Sequence, residues 1–425
     1  MTEVRPTNTH LTEREYAAIL KRAMNIGEMM LKSGSEVGRI EDTISRICRA
    51  YGAVRTDVLT ITSSIIVTLE TPEGDNITHT RRITSRDYDM MKIEALNRLS
   101  RTVCETRMPV EEIDRQLAQI DKIRHLPWFV TLFAFLISAS SFCVFFGGTW
   151  RDAIAVLLPA AVIFGLEKLI GSWKVNKIVY YLFASCIAGA ISVGVMHIGL
   201  GVEMDTIMIG AIMLLIPGMA ITGAIEDLLI GDTISGLLRL CESLIAACAI
   251  AAGFAMATYL CGGNAFAGTL GIELDPVMSL AMAVPASVGF ALKFGMKRPS
   301  RLIASALGGL LTWIAYLGVS HLGAEDFASC FIAAAVGGIC SQLMARGLHA
   351  PSTVFLVPAL IPLVPGRALY YTMSSILAAE RERASYWASS TAVQALGIAL
   401  GIVFVLVVLS AVRAVTRRAN IHKNI

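Results

Sequence analysis

Two proline-glycine pairs interrupt apolar segments of this 425-residue chain. The first is Pro217-Gly218 and the second is Pro365-Gly366, a displacement of 148 residues (365 − 217). Inside a bilayer such a break frees backbone amides and carbonyls that lipid cannot satisfy, so it persists only where it faces protein or a wet cavity. The half-helix after the break presents bare N–H groups and a partial positive charge, which suits a carboxylate. The two breaks therefore predict a binding site for a small anion.

Polar and charged residues follow both breaks closely. Thr222 lies four residues after Gly218, and Arg367 follows Gly366 at once. We predict that Thr222 and Arg367 contact polar groups of a substrate, because ionisable groups within spans are costly and functional by default. Proton or ion coupling is assigned to four further charged residues: Asp227, Asp232, Arg239 and Glu242. The alternatives are that the prolines are simple kinks and that most of these charges are solvated in a cytoplasmic loop.

The segments that carry these residues are long and apolar. Apolar residues make up 55% of the chain and charged residues 16%, and the apolar ones concentrate after Leu126. Runs of about 20 such residues match a hydrocarbon thickness of about 30 Å. Residues 1–125 instead carry charges at the density of a soluble domain. The sequence predicts a small cytoplasmic α+β domain over 1–125, followed by a mainly α-helical polytopic membrane protein.

The membrane region reads as two copies of one unit. The displacement that relates the two breaks also carries Pro127 to position 275, next to Pro276. Each copy contains five hydrophobic spans, and an odd-numbered unit placed twice in tandem must sit in opposite orientations. We therefore predict ten transmembrane spans as a 5+5 inverted repeat. The first half covers residues 126–273, and the second half, with a basic tail, covers residues 274–425.

The distribution of Lys and Arg predicts the orientation. Residues 1–10 are polar and contain no signal peptide, so the N-terminal domain is expected in the cytoplasm. Counting spans from there, the inner loops and the C-terminal tail hold most of the basic residues: Lys168, Lys174, Lys177, Lys293, Lys297, Arg298, Arg301, Arg413, Arg417, Arg418 and Lys423. The outer loops hold acids without Lys or Arg: Glu203, Asp205, Glu273, Asp275, Glu325 and Asp326. Arg151, Arg381 and Arg383 are exceptions to a pattern that predicts an inner-membrane protein with both termini cytoplasmic.

Residues 1–125 show helical and strand periodicities in turn. The predicted order is two amphipathic helices, the second after a Ser33-x-x-Glu36 start signal, three strands, and two more helices: 16–30, 37–51, 58–62, 65–69, 77–83, 88–103 and a helix from Pro109. The sequence contains no G-x-S-x-G, H-E-x-x-H, P-loop or G-x-G-x-x-G motif. A charged cluster on the second helix fits solvated ion pairs or a contact to the membrane domain: Arg39, Glu41, Asp42 and Arg46.

The nine cysteines are scattered, without C-x-x-C or metal-like Cys/His spacing. Most lie within apolar spans, where a thiol behaves as a small hydrophobe. We predict that they are reduced packing residues. Neither a metal site nor a cofactor is predicted.

Three stretches together resemble the threonine/serine exporter family. They are an N-terminal stretch with Gly34-Ser35-Glu36, Arg39, Glu41-Asp42-Thr43 and Tyr51-Gly52; a central stretch with Ile216 to Thr222, Asp227-Leu228, Gly231-Asp232, Ser235-Gly236, Arg239 and Glu242; and a C-terminal stretch with Pro351-Ser352, Pro358, Ile361 to Gly366 and Tyr370. The resemblance covers nearly the whole chain from about residue 15. It implies a ten-span inner-membrane exporter of small hydroxy amino acids, driven by the proton gradient.

The chain departs from that family at two positions. The family often has Asn, then Ala-Ile-Arg, after the threonine, whereas Gly223 and Glu226 stand here. Relatives split into two polypeptides are associated with export of small dicarboxylates such as succinate, so the substrate does not follow from the resemblance alone.

The leading hypothesis is a secondary transporter, an antiporter that exports threonine, serine or a similar zwitterion by alternating access. Its expected partners are this small molecule, a proton, the lipid bilayer and possible further copies in a homo-oligomer, but no nucleic acid. The first alternative is an exporter of dicarboxylates, which calls for two cationic contacts, Arg367 and Arg239; a monocarboxylate would need one. An alternative of a different class is a membrane-anchored enzyme or sensor, against which the missing catalytic motifs and the paired breaks argue.

Overall fold

A computed structural model describes residues 11–84, 87–123, 126–171, 176–261 and 275–423, with side chains up to residue 412. The described residues form two compact units, 1–125 and 126–425. We call them the N-terminal unit and the membrane unit. The boundary between the two predicted membrane halves, at 273/274, lies outside the described residues, as do Lys174 and Glu273 and the side chains of the basic tail.

The N-terminal unit places four helices around a three-stranded antiparallel sheet of order β1-β2-β3. Its elements are α1 (Glu13–Lys32), α2 (Val37–Ala50), β1 (Arg55–Ile61), β2 (Ser64–Glu70), β3 (Asn76–Arg82), α3 (Met90–Thr106) and α4 (Val110–Asp121). Apolar residues at helical spacing on α1 and α2 pack on Ile65, Val67 and Leu69, which alternate along β2 and are fully buried. The periodicities of 3.6 and 2 thus decide which faces build this core.

Helix starts in the N-terminal unit differ in detail from the sequence prediction. The capping box is at Thr12 and Glu15, which begin α1. Ser33 instead ends α1, and Glu36 precedes α2 without capping it through its side chain, so the predicted start signal is wrong. Pro109 is the residue before α4 rather than its first residue.

The charged cluster on α2 divides into two kinds of contact. The exposed Asp42 and Arg46 form the expected pair four residues apart, at 2.8 Å. Glu41 Oε1 accepts a hydrogen bond of 2.7 Å from the backbone N–H of Thr60 on β1. Because β1 is an edge strand, Glu41 satisfies a donor that no neighbouring strand reaches.

The membrane unit is helical throughout its described residues. Its elements are α5 (Trp128–Phe145), α6 (Trp150–Ala155), α7 (Leu157–Gly171), α8 (Lys177–His197), α9 (Met204–Ile212), α10 (Gly218–Ile230), α11 (Thr233–Leu260), α12 (Pro276–Lys293), α13 (Pro299–His321), α14 (Asp326–Leu348), α15 (Ser352–Leu360) with a 3₁₀ turn (Ile361–Leu363), α16 (Gly366–Leu377) and α17 (Arg381–Lys423).

Eight helices among the described residues are long and apolar enough to span a membrane, with α6 and α7 counted as one. The segment Ser352–Leu363 and α16 together pass the same test as a bent pair, with an angle of 53° at the second break. The first break separates α9 from α10 in the same way along the chain. A multi-pass membrane protein follows from these lengths.

Corresponding helices pack in corresponding pairs. Helix α11 packs on α8, and α17 packs on α14; across the unit, α10 packs on α17 and α11 on α16. Two glycines 148 residues apart (401 − 253) allow the closest of these approaches. A Cβ on Gly253 would overlap Ser185 and the Leu182 carbonyl of α8, and a Cβ on Gly401 would overlap the Phe331 carbonyl of α14.

Candidate functional site

The two breaks face each other in the membrane unit. A Cβ placed on Gly218 would overlap Cγ1 of Val364, the residue before Pro365. A Cβ on Gly366 would lie 2.5 Å from Met213 Sδ and 3.3 Å from Cγ2 of Ile216, the residue before Pro217. Each glycine is therefore needed for the close approach of the other break. We call this crossing of Ile216-Pro217-Gly218 and Val364-Pro365-Gly366 the paired breaks.

A lysine binds a carbonyl at the first break. Lys293 Nζ, at the end of α12, donates a 2.6 Å hydrogen bond to the Leu214 carbonyl, just after the end of α9. Its ammonium also lies 4.6 Å from the Phe135 ring centroid and 5.6 Å from that of Phe290. The negative end of a half-helix is a favourable place for a cation. Sequence reasoning placed Lys293 in a loop, because nothing in the local pattern indicates a partner 79 residues away.

An arginine occupies the second break in a different way. The Arg367 guanidinium lies between the rings of Phe146 and Trp387, with its Cζ 5.7 and 5.6 Å from their centroids. Nη1 is buried and, among the described residues, has no hydrogen-bond partner. Cation–π contacts hold the plane of the group without using its N–H donors. Arg367 therefore retains donors that a bound carboxylate can accept.

Aromatic residues continue from Arg367 along α16. The Trp387 ring stacks on Tyr371 at 4.9 Å between centroids, and Tyr371 lies beside Tyr370 at 5.4 Å. Tyr371 is 5% exposed, and its hydroxyl has no hydrogen-bond partner within the described part of the chain. A second orphaned polar group thus lies one helical turn after Arg367.

Helix α9 brings an acid close to these tyrosines. The Tyr370 hydroxyl lies 4.0 Å from Met208 Sδ, and Asp205 is three residues before Met208 on the same face of α9. The charge of Asp205 acts on the hydroxyls of both Tyr370 and Tyr371, and the charge of Arg367 acts on Tyr371 as well. Asp205 was predicted to lie in an outer loop, and its proximity to the tyrosines has no signal in the local sequence.

Two of the residues predicted for coupling form an ion pair. Arg239 Nη1 lies 3.1 Å from Asp227 Oδ2, and the two side chains are 13% and 9% exposed. The Thr222 hydroxyl is buried and donates to the Gly218 carbonyl at 3.2 Å. That bond satisfies a backbone group in the first turn after the break.

The other two predicted coupling residues lie differently. Asp232 is half-buried at the start of α11, where it makes no side-chain cap. Glu242 is exposed and shares its face of α11 with the exposed Leu238 and Ile245. The coupling roles of these residues stay predictions.

Comparison with known proteins gives the family. Two family models for threonine/serine exporters match the chain, one over residues 21–261 and the other over residues 279–408. The chain belongs to the threonine/serine exporter family. This is a family of transporters rather than enzymes. No solved structure matches this exporter.

Curated relatives of this exporter carry two kinds of name. The "probable threonine/serine exporter" of Mycobacterium tuberculosis is 24% identical over 83% of this chain and 69% of its own length. The "threonine/serine exporter" of Corynebacterium glutamicum is 22% identical over 85% of this chain and 76% of its own. The "probable succinate transporter subunit YjjP" of Escherichia coli is 22% identical over 58% of this chain and 96% of its own.

The structure gives a physical reason for one departure of this exporter from its family. A Cβ on Gly223 would lie 2.8 Å from Arg239 Nη1. An asparagine at this position would displace the guanidinium that pairs with Asp227. The glycine at 223 and the Asp227–Arg239 pair therefore belong to one arrangement.

Proposed function

We propose that this protein is a secondary transporter that exports threonine, serine or a similar small zwitterion across the inner membrane, coupled to protons. The observation that carries the proposal is the state of Arg367. A buried guanidinium with an unused donor costs free energy unless a ligand accepts from it. It also stands at the positive N-terminal end of α16, where an anion is favoured.

The proposal includes ten spans arranged as a 5+5 inverted repeat, with α9–α10 and α15–α16 each counted as one broken span. Its support is the spacing of helix starts in the second half relative to the first, which is 148 or 149 residues throughout: 128 and 276, 150 and 299, 177 and 326, 204 and 352, 218 and 366, 233 and 381. The common packing pairs and the matched glycines at 253 and 401 add to it. Five spans per half place both termini in the cytoplasm, in accord with the positive-inside pattern.

In this arrangement the substrate binds at the paired breaks, and the two halves rock around it. Arg367 binds the carboxylate, while the freed backbone of both breaks supplies further polar groups. The Asp227–Arg239 pair is our candidate for proton coupling. Protonating Asp227 would release Arg239, because a neutral carboxylic acid holds a guanidinium far less strongly than a carboxylate does.

Counterflow in proteoliposomes tests this function. Vesicles are loaded with threonine, serine or succinate, trace label is added outside, and the assay is repeated with an imposed pH gradient. We expect label to accumulate with the hydroxy amino acids and the gradient to increase it. Accumulation with none of these solutes would overturn the proposal.

A dicarboxylate exporter is the second candidate, and one observation favours it. Lys293 places a second cation at the paired breaks, where the sequence had offered only Arg367 and Arg239. Relatives named succinate transporter subunits also match the chain. Accumulation with succinate alone in the same assay would select this candidate.

A further inference from the structure

Arg367, Tyr371 and Asp205 form an unoccupied arrangement of charges and hydroxyl. Arg367 and Tyr371 lie one turn apart on α16, and Asp205 reaches the same tyrosine from α9. Buried polar groups in folded proteins almost always have a partner. Here two groups of opposite charge and one buried hydroxyl share a small region, and neither the hydroxyl nor Arg367 Nη1 has one.

We propose that Asp205 binds the ammonium group of the substrate while Arg367 binds its carboxylate, so that this site selects α-amino acids. The inference rests on the proposed function and names the group that recognises the amine. The Tyr371 hydroxyl, between the two charges, hydrogen-bonds the bound zwitterion. Acids that lack an amine would leave the Asp205 carboxylate without a partner and bind more weakly.

Among the described acids of the membrane unit, several are already engaged. Asp152 is fully buried, and its two oxygens accept four hydrogen bonds, from Thr149 N and Oγ1 and from the N–H groups of Val202 and Glu203. Asp227 is paired with Arg239. Asp205, by contrast, accepts no hydrogen bond within the described chain and is half-buried.

Asp326 is the nearest rival. Its charge acts on Tyr316, a tyrosine that also feels Arg367. Asp326 is nevertheless exposed, and Gln394 Nε2 donates to its Oδ2 at 3.4 Å. It therefore serves as a matched control, because it is an acid near the same arginine with its own partners.

The test compares threonine with 3-hydroxybutyrate, which keeps the carboxylate and the hydroxyl but lacks the amine. Affinities of purified wild type, Asp205→Asn and Asp326→Asn are measured by inhibition of counterflow and by the ligand-induced rise in Tm. We expect the wild type to prefer threonine. In Asp205→Asn the ratio of the two affinities should fall about tenfold or more, since a charge-assisted bond to the amine is lost. Asp326→Asn should keep the wild-type ratio.

The outcomes separate this inference from the function on which it rests. A wild type that transports threonine, combined with an unchanged ratio in Asp205→Asn, overturns the ammonium site alone. Failure of the wild type with every amino acid overturns the proposed function. If Asp205→Asn is not monodisperse, Asp205→Ser removes the same charge with a smaller side chain. Tyr371→Phe, whose ring keeps its stack on Trp387, should weaken both ligands and leave their ratio unchanged; a Tyr371→Phe variant with full affinity for both contradicts the shared site.

Discussion

The paired breaks use one backbone device with two different cations. At the first break Lys293 donates to the Leu214 carbonyl and completes the half-helix from outside it. At the second break Arg367 belongs to the half-helix itself, is held by two aromatic rings, and keeps Nη1 without a partner in the described residues. A repeat can thus preserve its backbone geometry while its two copies take different chemical roles. We infer that the lysine supports the fold and that the arginine binds substrate.

The largest expected effect comes from Arg367→Gln. The change removes the charge that would bind a carboxylate and breaks no hydrogen bond of the described structure, so affinity should fall about 10- to 100-fold with little loss of stability. Counterflow affinity and Tm are measured together. Arg346→Gln, which changes an exposed arginine at the end of α14, is the control and should affect neither. Unchanged affinity in a well-folded Arg367→Gln variant would remove this residue from the site.

The glycines at 253 and 401 test whether the two copies pack alike. Alanine at either position puts a Cβ into a neighbouring helix, so Gly253→Ala and Gly401→Ala should each lower the free energy of unfolding by about 1–3 kcal/mol. Gly318→Ala has no atom within 4 Å of its Cβ and should be neutral or stabilising by up to about 1 kcal/mol. Tm in detergent is the measurement. Tolerance at only one of the two positions would contradict equivalent packing.

Lys293→Met tests the supporting role of the lysine. The variant keeps an apolar side chain but leaves the Leu214 carbonyl without its donor, so the free energy of unfolding should fall by about 1–3 kcal/mol. Threonine affinity should change less than about threefold, a difference below about 0.7 kcal/mol. Lys168→Met is the control, since this exposed lysine has a similar ring contact with Phe164 at 5.4 Å. Lost affinity at unchanged Tm would instead assign Lys293 to the substrate and favour a dicarboxylate.

The sequence predicts what is local. The breaks, the amphipathic helices and the β2–β3 hairpin follow from proline, glycine and periodicity, and the threonine/serine exporter resemblance is confirmed. What failed depends on distant partners. Lys293 and Asp205 looked like loop charges, because charge counting assigns residues to a side of the membrane and not to a contact. Ser33 looked like a helix start, yet the left-handed Gly34 follows it where α1 ends.

The N-terminal unit offers the same comparison between engaged and available charges, on a smaller energy scale. Glu41 and Asp42 are sequence neighbours, but Glu41 accepts from the Thr60 N–H of an edge strand while Asp42 pairs with Arg46 in solvent. Glu41→Gln should lower the free energy of unfolding by about 1 kcal/mol, since it weakens a charge-assisted bond to a backbone donor. Asp42→Asn should cost less than about 0.5 kcal/mol, because exposed pairs four residues apart contribute little. Denaturation of the two full-length variants in parallel compares them, and equal losses would show that the edge-strand contact adds nothing beyond a surface ion pair.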